Sequence, residues 1–274
     1  YCHSPMRYAW DQEHAYFPRR GGPIGRLRGG ALTALRAWDV ASVPRVDGFW
    51  ANSHFVARRI RRYYDRDAEV LPPPVEVDAF GPAPDDASGS PYLLAVSALV
   101  PYKRLDLAIQ SAERLGIELR IVGTGPELSR LRRLAGPNTH LLGRVDDATL
   151  RDLYRDAHAF VQPGVEDFGI AAVESLASGT PVVALDRGGV RDIVENSTHG
   201  VLYSLTGAAS DDSSAITDLV DAIDKSTQIR FNPLDLIRRA QDFSRDRFAR
   251  RLASSIARHL ASAAQPGRPT TEKR

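Results

Sequence analysis

From residue 92 the chain alternates five times between a short apolar run and an amphipathic segment, and this limits its fold more than any other feature. "YLLAVSAL" (92–99) is an apolar run of strand length. "RLDLAIQSAERLG" (104–116) has apolar residues at helical spacing and ends on Gly116, a residue that commonly closes helices. "ELRIVG" (118–123), "THLLG" (139–143), "AFVQP" (159–163) and "PVVAL" (181–185) read as further strands. Between them, "ELSRLRRLA" (127–135), acid-capped "DDATLRDLYRDA" (146–157) and "GIAAVESLASG" (169–179) read as helices. This alternation implies an α/β fold with a parallel, doubly wound sheet.

Ahead of it, "GFWANSHFVARRIRRYYD" (48–65) reads as a strand followed by a helix capped near Asn52 or Ser53. A short strand lies in "AEVLPPP" (68–74), and the prolines with "GPAPDDASGSP" (81–91) form the best linker stretch. The expected organisation is therefore residues 1–78 as the end of one Rossmann-like domain, 79–91 as linker and 92–231 as a second domain. Residues 232–262 are expected to form C-terminal helices broken near Phe243–Ser244, and 263–274 a disordered tail. Residue 1 is Tyr, inside the apolar, aromatic "YCHSPMRYAW", so the chain is expected to start in mid-domain.

Composition excludes several classes. A hydrophobic fraction of 43% with 26% charged residues is that of a globular protein. No apolar run reaches the roughly 18 residues needed to span a bilayer. The single cysteine, Cys2, allows no internal disulfide framework and suggests a cytoplasmic home. A net charge of +2 gives no general polyanion binder, and no nucleic-acid partner is expected. Arginines cluster at 19–28 and 58–66, reading as solvated helix faces or, more sharply, as contact with an anionic membrane at the inner face of the cell membrane. The histidines are scattered without a ligand pattern, so no metal site is expected.

In open parallel sheets, ligands bind beyond the carboxyl ends of the strands and at helix N-termini. Three loops qualify. "SALVPYKR" (97–104) puts Lys103, one of only three lysines, at a helix start, where the helix dipole disfavours a cation unless an anion is held there. "GTGP" (123–126) is either a tight turn or a place where backbone approaches a ligand. "PGVEDFGIAAVE" (163–174) puts Glu166 in a loop and Glu174 inside the next helix, about 10 Å or more apart by helix rise and loop reach. The amides of Phe168, Gly169 and Ile170 lie between them, at the helix mouth.

These segments, with "VSALVPYKRLDLAI", "IVGTGPELSRLR", "HLLGRVDDATLRDLY", "SLASGTPVVA", "YCHSPMRYAWD" and "WANSHFVARRI", resemble in sequence order the retaining glycosyltransferases of family 4. Bacterial mannosyltransferases of surface polysaccharide synthesis belong to that group. The resemblance implies a GT-B fold of two facing Rossmann-like domains, the N-terminal one only partly present here. It implies transfer of a hexose, mannose from GDP-mannose, to a polysaccharide or lipid-linked acceptor, retaining and without metal or other cofactor. His3, Glu166 and Lys103 would be the catalytic group. Glu166 would meet the donor sugar, Glu174 the ribose, and Lys103 with the amides of Gly169 and Ile170 the diphosphate. Ser97, Arg104, Gly123, Thr124, Arg144, Val145, Asp167 and Phe168 would complete the nucleotide-sugar site, and Arg7 and Asp11 would face the acceptor. One departure is Ala98, which stands where many members carry a diphosphate-binding arginine; Arg104 is the expected substitute.

Two alternatives accompany this reading. A UDP-sugar could be the donor, or the chain could be a truncated, non-catalytic nucleotide-binding module. A metal-dependent transferase would use D-x-D, which "DRD" (65–67) matches, but its place between a helix end and a short strand reads as a solvated turn.

Overall fold

The computed structural model describes residues 1–13, 22–82, 92–207 and 211–263. Its centre is a six-stranded, all-parallel sheet formed by β3 (Leu93–Val96), β4 (Leu119–Val122), β5 (Thr139–Gly143), β6 (Ala159–Gln162), β7 (Val182–Leu185) and β8 (Gly200–Tyr203). The strands lie in the order β5-β4-β3-β6-β7-β8. The chain thus winds outward from β3 in one direction, returns, and winds outward from β6 in the other, as in a Rossmann sheet.

Both faces of this sheet are covered, which is why its strands read as unbroken apolar runs. Leu93, Ala95, Leu119, Ile121, Val161 and Val183 point to one face, against α4 (Leu105–Leu115) and α8 (Asp212–Gln228). Leu94, Phe160, Val182 and Ala184 point to the other, against α7 (Ile170–Ala177) and α9 (Pro233–Ala240). α5 (Leu128–Leu134) and α6 (Asp147–Asp156) complete the layers. Asp146 caps α6, accepting from the Thr149 amide at 2.8 Å, and Gly116 and Gly179 take positive φ where α4 and α7 end.

The first part of the chain is smaller. β1 (Phe49–Ala51) and β2 (Ala68–Val70) pair in parallel, joined by α3 (His54–Tyr64), and Cys2 bridges to Ala51 alongside them. Ser53 is the N-cap of α3 and accepts from Val56 N at 3.1 Å. The last helix, α10 (Arg245–Ala263), returns to this sheet. Trp50 Nε1 donates to Ser255 Oγ at 2.8 Å, and Ser255 Oγ donates to Glu69 at 2.6 Å. A 3-10 turn over Gln241–Phe243 separates α9 from α10, at the expected break.

Three elements do not stand out in the sequence. β8 and α8 follow a loop-rich stretch. A third, α2 (Gly22–Ser42), carries glycines and no clear apolar stripe, burying Leu32 while leaving Leu27 and Trp38 exposed. The arginine run 58–66 is not uniformly a solvated face, because Arg59 is buried. The arginine cluster at 19–28 lies partly outside the described residues, as do most of the expected linker and the tail. "DRD" is a turn: Asp65 caps α3 in the left-handed region, and Arg61 pairs with both Asp65 and Asp67. Among the described residues, no helix is long and apolar enough to cross a membrane.

Candidate active site

Because the six strands are parallel, their carboxyl ends share one edge, and the switch in winding direction falls between β3 and β6. Ligands of open parallel sheets bind beside the loops that leave the strands at such a switch. The β3 loop carries Lys103, in a 3-10 turn before α4, and the β6 loop carries Glu166. Lys103 Nζ and a Glu166 carboxylate oxygen form an ion pair between the two loops, both side chains largely buried. Burial first, then the nearby Arg7, push the Lys103 ammonium down to about 8, and Asp167 opposes them. The contacting Glu166 carboxylate also favours the charged ammonium.

Backbone packing fixes both loops. Gly164 lies so close to Tyr102 and Lys103 that a side chain there would strike their backbone. Gly188 and Gly189 leave equally little room against Glu166, Asp167 and Phe168, and Gly189 N donates to Glu166 O at 2.9 Å. The Glu166 side chain therefore projects from a loop clamped on two sides.

A cleft of about 320 Å³ opens here, the size of a small-molecule site. One wall is Lys103 with Glu166 and the mouth of α7; the other is His3, Asn52 and Pro73 from the first part of the chain. Gly169, at φ 112°, is the N-cap residue of α7, so the helix starts one to two residues later than its sequence suggests. The early amides of α7 present their partial positive charge beside Lys103. A cation and a helix N-terminus converging on one cleft form a site for an anionic ligand.

A family model described as glycosyl transferases group 1 matches residues 82–241, more than half of the chain. The chain belongs to this family. It is 32% identical over 185 residues to a D-inositol 3-phosphate glycosyltransferase of Xylanimonas cellulosilytica, covering 57% of this chain and 44% of that protein. It is 30% identical over 210 residues to a phosphatidyl-myo-inositol mannosyltransferase of Mycobacterium leprae, covering 72% of this chain and 54% of the relative. A GDP-mannose-dependent alpha-mannosyltransferase of Mycolicibacterium smegmatis matches at 33% over 133 residues, covering 48% and 35%. The chain thus spans about half the length or less of these relatives. Sucrose-phosphate synthase from Thermosynechococcus elongatus superposes with a TM-score of 0.72 at 20% identity, over 94% of this chain and 66% of that one. The lipopolysaccharide outer core galactosyltransferase WaaB gives 0.63 at 18%, over 78% and 62%. These likenesses show the fold, that of a Rossmann-like domain of GT-B glycosyltransferases.

In this member of the family, the structure gathers His3, Lys103, Glu166, Asp167, Phe168, Gly169 and Ile170 around one cleft. Ser97 shares an adjoining space with Lys103 and Glu166. Gly123 takes φ 139° at the end of β4, where its backbone crosses that of Ser97, and its amide donates to Gly143 O at 2.8 Å. That bond sets Thr124 beside the start of the Arg144–Val145 segment; Thr124 and Arg144 are exposed, and Val145 packs partly against the core. Glu174 lies farther along α7, where the fully buried Tyr154 hydroxyl donates to its Oε2 at 2.9 Å. Burial pushes the Glu174 carboxyl up, and the Tyr154 hydrogen bond opposes this.

Three of the charged residues singled out in the sequence have internal ion-pair partners. Arg104, the expected substitute for the arginine missing at Ala98, pairs with Asp106 at 3.2 Å and Asp212 at 2.5 Å. Arg7 pairs with Asp167 at 3.3 Å, and Asp11, still partly exposed, lies 2.5 Å from Arg59, so each has an ion-pair partner within the protein. Two site residues carry no sequence signal of their own. Asn52 reads only as a cap but lines the cleft and donates to His3 O at 2.8 Å. Arg59 reads as one of a run of surface arginines.

Proposed function

We propose that this chain carries the donor site and catalytic cleft of a retaining, metal-independent glycosyltransferase that moves mannose from GDP-mannose to a polysaccharide or lipid-linked acceptor. The observation that carries this reading is the Lys103–Glu166 pair at the switch between β3 and β6, facing His3 across the cleft. Breaking the bond between the anomeric carbon and the diphosphate places negative charge on the leaving oxygen. A fixed ammonium and a helix N-terminus stabilise that charge without reorganising. Glu166, at the junction of the Lys103 loop and the α7 mouth, reaches the sugar hydroxyls, and Glu174, deeper on α7, accepts from the ribose. His3 presents its ring to the anomeric centre from the opposite wall. The acceptor hydroxyl attacks on the face the diphosphate leaves, which serves as the proton acceptor, so no protein general base is assigned. Mannose and guanine rest on the likeness to relatives such as the GDP-mannose-dependent alpha-mannosyltransferase of Mycolicibacterium smegmatis.

Thermal-shift screening against GDP, UDP, ADP and their sugars tests the reading. Stabilisation by GDP and GDP-mannose above the others supports it. Preference for a uridine nucleotide reassigns the donor, and stabilisation by none of them overturns it.

A further inference from the structure

The loop carrying Glu166 is held from the side opposite to its own sheet. Arg59, on α3, is 6% exposed and contacts four groups at once. Its Nε lies 2.5 Å from Asp11 Oδ2, and its Nη1 lies 3.0 Å from Asp167 Oδ1 and also meets Ser4 Oγ. Its Nη2 donates to Pro5 O at 3.2 Å. Arg7 takes the second oxygen of Asp167 at 3.3 Å and donates to Val165 O at 2.9 Å. The Arg7 guanidinium also lies 4.6 Å from the centre of the Tyr102 ring, beside Lys103. Ser53 Oγ donates to Asp167 O at 2.5 Å.

The polar handles on either side of Glu166 are thus gripped by the first part of the chain: the Val165 carbonyl, the Asp167 carbonyl and the Asp167 carboxylate. The Glu166 carboxylate is left to face the cleft and Lys103. Arg7 reaches both loops, the one bearing Lys103 and the one bearing Glu166.

We propose that Asp167 is not a donor ligand but a docking carboxylate, and that Arg7 and Arg59 are positioning residues that set Lys103 and Glu166 by clasping it. The proposal rests on the reading that this cleft binds the donor. The bridge joins the two walls, so the catalytic pair reaches its working geometry only while the two parts of the chain are docked. A catalytic group displaced by about 1 Å loses roughly 100-fold in rate while substrate still binds.

The test is Asp167→Asn, which keeps the shape and removes the charge that two arginines share. It is studied by hydrogen exchange at the amides of 164–170 and by transfer kinetics. The expected result is faster exchange in that loop and a kcat reduced about 10- to 100-fold with donor KM changed less than about threefold. Arg59→Gln and Asp167→Asn should be non-additive, the double variant losing less than the sum of the two single variants, because both remove the same Arg59–Asp167 contact. Arg7→Gln, nearer the rim, gives the same exchange signature should the Arg59 variants not fold. Unchanged exchange in Asp167→Asn and Arg7→Gln overturns the proposal. So does a rise in donor KM with kcat unchanged, which would make Asp167 a donor ligand. The exchange arm needs no nucleotide, so it decides the clasp even if the donor reading itself fails.

Discussion

Removing one hydroxyl, in Tyr154→Phe, gives a result whose size and pH dependence both follow from the structure. The Tyr154 hydroxyl is fully buried and donates to Glu174 Oε2 at 2.9 Å. A hydrogen bond to an ionised group is worth about 1.5–3 kcal/mol. Losing it raises the folded-state pKa of Glu174 further, because the bond favours the ionised carboxylate. That pKa already stands above the ordinary 4.5. A carboxyl raised on folding favours the folded state below its unfolded pKa, and this contribution is lost as pH rises through the folded value. In the variant that loss continues to higher pH. The variant should therefore be about 1.5–3 kcal/mol less stable than the parent at pH 8. Near pH 4, where Glu174 is largely protonated in both proteins, only the neutral hydrogen bond is missing, worth about 0.5–1.5 kcal/mol. Urea unfolding at the two pH values measures both differences. Equal losses at pH 4 and pH 8, or no loss at pH 8, would refute the coupling between Tyr154 and Glu174.

Other outcomes follow from the same geometry. Glu166→Ala should abolish transfer with less than about a tenfold change in nucleotide affinity, while Glu174→Ala should weaken nucleotide binding by about tenfold or more, as titration calorimetry would show. Gly123→Ala places a side chain at φ 139° against the Ser97 carbonyl and should cost more than about 2 kcal/mol in chemical denaturation. If transfer needs no metal, excess chelator should leave the rate unchanged; a rate restored only by a divalent ion would remove that part of the mechanism.

Most of the six-stranded sheet is legible in the sequence because burial on both faces leaves each strand a compact apolar run between polar ends. The Thr139–Gly143 strand matches its expected span, and the helices between the first five strands fall within a residue or two. α2 is not legible, since its glycines argue against a helix and Leu32 alone is a poor stripe. Lys103 and Glu166 can be found because each follows a strand, and a parallel sheet gathers such loops at one edge. Asn52 and Arg59 cannot be found this way, because Asn52 touches His3, 49 positions away along the chain, and Arg59 touches Asp167, 108 positions away in a loop of the other wall. Arg7, Asp11 and Arg104 show the converse. A charged residue near a site reads as a ligand contact, yet each has an internal partner that only the fold supplies.

The central claim is that Lys103 meets a diphosphate at the switch between β3 and β6. Calorimetric titration of GDP and GMP into the parent and Lys103→Met tests it most directly. The parent should prefer GDP by about tenfold or more, the worth of a charge-assisted contact to the second phosphate, and Lys103→Met should lose most of that preference, keeping only what the α7 amides supply. A Lys103→Met protein that keeps the parent's full preference for GDP would contradict the account.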